Sequence, residues 1–192
     1  MDLFLGPEKQ DVGQTGSREE KVKSKFREGL SFPEFLKVIR ENRELWRRVY
    51  GDARIPPNIL VMARGLRGPW HLLALGEDWC MDSANTLPYL ARLCEAVGGL
   101  DLRILRKEEH PQLMQEHLTD GGEAIPVVLI LDRNFREVGV WGPRPQPLQD
   151  FFKEELDGRP EEARFAGLRG WYRRDGGQSA LRELMGRFPA SR

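Results

Sequence analysis

Cysteine is scarce: the chain has two in 192 residues, Cys80 and Cys94, too few for a disulfide framework. No apolar run approaches the ~20 residues that a membrane-spanning helix needs. Met1 to Gly16 holds no apolar segment preceded by basic residues, so no secretory signal is expected there. Net charge is lacking as well. Lys+Arg and Asp+Glu both number 30, whereas nucleic-acid binders gather a basic excess on one face. The stretch from Arg159 onward holds eight Arg against four acids. It reads as a solvated surface, which leaves nucleic acid out of the expected partners. The three histidines, His71, His110 and His117, are dispersed and form no metal set with a second cysteine. These absences point to cytoplasmic residence, in a compartment that keeps thiols reduced, with no membrane association and no metal.

What is present fits one domain with a real core plus appendages. Residues 1–30 are polar, mixed in charge and contain glycine, and read as a tail or loosely docked arm. A second copy of the chain could hold such an arm, so a homodimer is one expectation. Residues 31–69 read as a helical extension. Ser31 caps, Pro33 fits the first turn and Glu34 closes a capping box. Phe35, Leu36, Val38, Ile39, Leu45, Trp46 and Val49 then recur at helical spacing, with a weak middle from Arg40 to Glu44. Ile55-Pro56-Pro57 ends that helix, residues 58–64 suit another short one, and 65–69 connect.

From Trp70 the pattern changes. Trp70 to Leu75 reads as a buried strand, Ser83 to Val97 as a helix stopped by Gly98-Gly99, and Leu100 to Leu105 as a second strand. Glu109 to Leu118 is helical, Val127 to Leu131 a strand, and Glu137 to Trp141 its antiparallel partner across a turn at Asp132 to Phe135. Leu148 to Leu156 is helical. Gly158 to Gly177 is irregular or holds a short helix, and Ser179 to Phe188 is a last amphipathic helix, so 158–192 is a C-terminal helical segment. The order is that of an α/β fold with a parallel start and an antiparallel end. It fixes a class and no function.

In open α/β sheets, ligands bind where strands end and helices begin. Here that place is Gly76 to Ser83, with Cys80 at or just before the first helical turn. Free N–H groups and the positive end of the helix dipole favour an anion there, so Cys80 is expected to ionise more readily than a free thiol. Ser83 lies one turn on; it either hydrogen-bonds the sulfur or simply starts the helix. Asp82 opposes the thiolate by repulsion unless it points into water, which would screen it.

Trp79-Cys80-x-x-Ser83 resembles the Trp-Cys-x-x-Cys of thioredoxins with the second cysteine replaced. Pro88, eight residues after Cys80, matches the proline that kinks the thioredoxin helix. Ile125-Pro126 matches the cis-proline that faces the redox motif, and Gly142, sixteen residues after Pro126, the glycine loop beside the substrate groove. The resemblance spans about residues 70–157. It is closer to a bacterial subgroup of uncharacterised thioredoxin-like proteins through Glu77-Asp78-Trp79-Cys80, Leu118-Thr119-x-Gly121-Gly122, and Trp141-Gly142-Pro143-Arg144-Pro145. It implies a thioredoxin-like sandwich, a mixed sheet flanked by helices, over 70–157.

Two departures bear on activity. Ser83 cannot resolve a mixed disulfide, and Ala74 stands where thioredoxins carry a buried acid. Cys94 cannot substitute: fourteen residues along one helix puts it roughly 21 Å away, and a disulfide needs Cα atoms within about 7 Å. Its apolar helix face marks it as a core residue. The resemblance therefore implies monothiol exchange by Cys80 with a protein or small-molecule thiol or disulfide, an external thiol acting as resolving agent. Cys80 and Ser83 form the catalytic pair in that reading. Trp79, Met81, Asp82, Ile125, Pro126, Trp141 and Gly142 form the groove, although Pro126 also suits a plain strand-edge proline and the two tryptophans plain packing. Some relatives hold an iron–sulfur cluster with one cysteine and glutathione. No glutathione-binding residues are identifiable here, so no cofactor is expected. The alternative is a non-catalytic module of the same fold that binds a peptide or protein.

Overall fold

A computed structural model of the chain describes residues 12–189. Its centre is a four-stranded sheet ordered β2-β1-β3-β4, from β1 (Trp70–Gly76), β2 (Leu100–Arg106), β3 (Val127–Leu131) and β4 (Glu137–Trp141). β1 and β2 run parallel, with Leu72 beside Leu102 and Leu75 beside Leu105. β3 runs antiparallel to β1, with Leu73 opposite Leu129, and β4 antiparallel to β3. Successive strand residues point to opposite faces, so the two inner strands, apolar from Leu72 to Leu75 in β1 and throughout β3, feed two cores. Leu72, Ala74, Val128 and Ile130 join the larger core, and Leu73, Leu75, Leu129 and Leu131 the smaller. This is a mixed α/β sandwich of the class the sequence implies.

The larger core is closed by α2 (Phe32–Val38), α3 (Arg43–Asp52), α4 (Pro57–Arg64), α5 (Met81–Ala96) and α9 (Gln178–Met185). Glu34 accepts a 2.8 Å hydrogen bond from the Ser31 N–H at the head of α2, as the capping pattern requires. Trp46 is fully buried and packs edge-on to Phe35. The expected single helix from Ser31 to Val49 is broken: Ile39 is extended, and Asn42 adopts a left-handed conformation with φ 51° before α3 starts. The break gives the main-chain N–H groups of Arg40 and Glu41 to a partner described below.

Three further segments differ from expectation. Within the expected arm, Val12–Glu28 forms helix α1, and its Val22 and Phe26 are buried in the smaller core; Leu30 bridges to Ile104, and residues 1–11 lie outside the described residues. One buried pair at i, i+4 is enough to seat a polar helix on a sheet but too little to show as periodicity. The helix expected from Glu109 to Leu118 is confined to α6 (Pro111–Gln115) after a tight turn. The segment 158–177 carries a full helix, α8 (Glu161–Asp175), which packs with α7 (Gln146–Phe151) and the π-helical turn Phe152–Leu156 around Leu148, Leu156, Leu168 and Tyr172. Among the described residues no helix is long and apolar enough to cross a membrane.

Candidate functional site

β1 ends at Gly76 and α5 starts at Met81, so Cys80 becomes the N-cap of the helix. Its Sγ accepts the Ser83 N–H at 3.4 Å, taking up one of the orphan donors of the first turn. The same sulfur donates to the Ile125 carbonyl at 3.4 Å. These contacts pull in opposite directions. An N–H donor favours the thiolate, whereas a carbonyl oxygen accepts from the thiol and repels the anion. The Ser83 hydroxyl makes no hydrogen bond of good geometry, yet it lies near enough to favour the charged sulfur.

Burial decides the balance. Cys80 is 8% exposed and packs in the smaller core, and this pushes its thiol above the ordinary value, with the charge of Asp82 adding to the shift. The expected easily ionised thiol is therefore corrected: a dry site outweighs the helix end. Of the two alternatives for Asp82, the structure takes the first, because the carboxylate does not face water. Asp82 is 7% exposed, and its carboxylate accepts from Arg144 Nε at 2.6 Å and from the Tyr172 hydroxyl at 2.8 Å. Burial pushes the Asp82 pKa up, while Arg144 and Tyr172 pull it down. Arg144 also lies over the Phe152 ring.

Two more acids anchor the turn before the cysteine. Glu77 is fully buried and accepts from Arg106 Nε and Nη2 at 3.2 and 3.1 Å, and from the Glu108 N–H at 3.1 Å. Asp78 accepts the Arg40 N–H at 2.7 Å and the Glu41 N–H at 3.2 Å. Its own carbonyl accepts from Trp46 Nε1 and Asn42 Nδ2. Burial opposes ionisation of Asp78, but these amide donors and Arg106 outweigh it and hold its pKa below the ordinary value. The gap between α2 and α3 is thus fastened to the residue two before Cys80.

The remaining groove residues divide. Ile125 and Pro126 lead into β3 directly beside the sulfur, through a cis peptide bond. Gly142 closes on them: at φ 128°, a Cβ there would stand 2.0 Å from the Pro126 carbonyl oxygen. Trp79 is 43% exposed at the rim, and its carbonyl accepts from Asn42. Met81 packs toward α7 and α8. Trp141 is 2% exposed, lies in the larger core and donates its indole N–H to Glu183 at 3.0 Å, so its ring offers no contact surface. Cys94 sits on the far part of α5 against the larger core, and burial pushes its thiol up. The residues that sequence reasoning did not place here are Arg144 and Tyr172. Arg144 stood in a motif quoted for the resemblance, and Tyr172 carried no signal; Glu77 and Asp78 stood in the expected segment from Gly76 to Ser83 without a role. Among the described residues no group of three or more His, Cys, Asp or Glu is placed to hold a metal ion.

A cysteine capping the helix after the first strand, set against an Ile-Pro bond that enters the third, belongs to a protein of thioredoxin-like fold with one sulfur at the start of that helix. The model of the thioredoxin family matches residues 29–157, and the chain belongs to that family. The match begins after α1 and before α2, so it takes in α2, α3 and α4 ahead of β1. A crystal structure of a protein of unknown function from Pseudomonas aeruginosa superposes with TM-score 0.68 at 22% identity, covering 86% of this chain and 95% of that one. An HIV epitope scaffold superposes with TM-score 0.68 at 21% identity over the same shares. No curated protein matches the chain.

Proposed function

We propose that the protein exchanges thiols with disulfides through Cys80 alone. The Cys80 sulfur attacks one sulfur of a disulfide on a protein or small molecule. That S–S bond breaks as the new one forms, and the electron pair leaves on the other sulfur, which takes up the proton lost by Cys80. Ser83 has no sulfur with which to displace the bound partner. An external thiol attacks the mixed disulfide, restores Cys80 as a thiol and leaves as a disulfide with the partner. The observation carrying this reading is the position of the sulfur, between the Ser83 N–H and the Ile125 carbonyl. Main-chain groups beside Pro126 and Gly142 would pair with an extended segment of the partner as an added strand does, and Trp79 would give apolar contact at the rim.

The burial of Cys80 favours a second reading, a module that keeps the groove and binds a peptide without turnover. Reaction with a small aromatic disulfide, followed against pH, separates them. Exchange predicts one thiolate released per chain, lost in Cys80→Ser, with a midpoint above the ~8.5 of a free thiol. A Cys80 that stays unreactive in unfolding-free conditions up to about pH 10, well past that free-thiol midpoint, removes exchange and leaves the module.

A further inference from the structure

A second cleft of ≈ 690 Å³ lies between α3, α5 and α8, apart from the groove beside Cys80. Its volume falls in the ~300–1,000 Å³ range of small-molecule sites. Arg169 and Arg173 stand four residues apart on α8 and so share a face. Arg48 faces them from α3. All three are exposed, and none makes an ion pair or side-chain hydrogen bond within the described residues, while Arg92, Arg106 and Arg144 each hold a carboxylate. Asp52 is the one acid on the lining. Three guanidinium groups against one carboxylate leave a net positive cleft in a chain whose charges cancel overall.

We propose that this cleft binds a small molecule bearing two or more negative groups, phosphate or carboxylate. The guanidinium fork matches either anion with paired hydrogen bonds. Tyr89, Leu45 and Val49 supply an apolar wall for the body of the molecule. Tyr172 forms part of the lining and gives its hydroxyl to Asp82, so the cleft and the surroundings of the sulfur share one side chain. The site stands whether or not Cys80 turns over.

Calorimetric titration of the full chain with pyrophosphate and with citrate, at low and matched ionic strength, tests this. Saturable binding that weakens with added salt is expected; tighter pyrophosphate binding assigns phosphate, tighter citrate binding carboxylate. The double variant Arg169→Gln/Arg173→Gln should bind about tenfold or more weakly, the loss of at least one charge-assisted hydrogen bond. Arg47→Gln, on the same helix as Arg48 but off the lining, should bind as the wild type does. The absence of saturable binding by both anions overturns the proposal. So does a double variant that binds unchanged, or an equal loss in Arg47→Gln.

Discussion

Replacing Tyr172 with phenylalanine deletes one hydroxyl and leaves the ring in its packing. The hydroxyl donates at 2.8 Å to the buried carboxylate of Asp82. A hydrogen bond to a charged group contributes about 1.5–3 kcal/mol net. Asp82 keeps Arg144 at 2.6 Å, which places the expected loss near the lower end, about 2 kcal/mol. At roughly 2–4 °C per kcal/mol for a chain of this size, Tm should fall by about 4–8 °C. The loss should also depend on pH. Asp82 has a raised pKa in the folded chain and an ordinary one in the unfolded chain. Between the two values the folded state holds a proton that the unfolded state has released, so stability falls as pH rises through that window. Tyr172 pulls the Asp82 pKa down, and removing its hydroxyl makes the fall larger. The gap between wild type and variant should therefore be smaller at pH 4 than at pH 7.5. Urea unfolding followed by tryptophan fluorescence at both pH values measures it, since Trp46 and Trp141 are buried. A loss under about 0.5 kcal/mol at pH 7.5, the size of an ordinary surface substitution, or a larger gap at pH 4, would refute the argument.

Asp78→Ala should strip the Arg40 and Glu41 amides of their acceptor and cost about 2–3 kcal/mol. Native-state hydrogen exchange at those two amides should speed up; unchanged protection there contradicts the anchoring role. Because the Asp78 pKa is lowered on folding, its contribution is present above the ordinary carboxylate pKa and fades as pH falls through the lowered value. Gly142→Ala combines a left-handed φ of 128° with a Cβ 2.0 Å from the Pro126 oxygen, and should cost about 3 kcal/mol or more. A thermal midpoint equal to wild type would show that the two loops separate without penalty.

The sheet was legible because β1 is apolar from Leu72 to Leu75 and β3 is an unbroken apolar run, and β3 and β4 match their expected bounds residue for residue. The position of Cys80 at the helix start was legible from local order alone. What the sequence hid is long-range. Asp82 finds Arg144 62 residues on and Tyr172 90 residues on, and no local pattern tells a carboxylate at a helix start that it will be enclosed. The direction of the shift on Cys80 was hidden for the same reason: burial of the sulfur sets it, and the enclosed Asp82 adds to it. Helix α8 was hidden by its own composition: only Leu168 and Tyr172 are buried along it, and Gly167 and Gly170 lower its helix propensity. Gly167 has a packing reason, since a Cβ there would stand 2.5 Å from Leu156 Cδ2. The break between α2 and α3 showed only as a weak stretch of periodicity, because its purpose lies with a residue 38 positions away.

The fastening of that break to Asp78 has a consequence for anyone moving the motif. A graft of the segment from Glu77 to Ser83 into another scaffold would carry the acids without their donors. The Asp78 carboxylate needs the open backbone of Arg40 and Glu41, and Glu77 needs Arg106 and the Glu108 amide. Without them two carboxylates would draw water into the turn that holds the sulfur. The transplantable unit reaches back to the helices before the first strand and forward past the Glu108 amide, and for Asp82 as far as Arg144 and Tyr172.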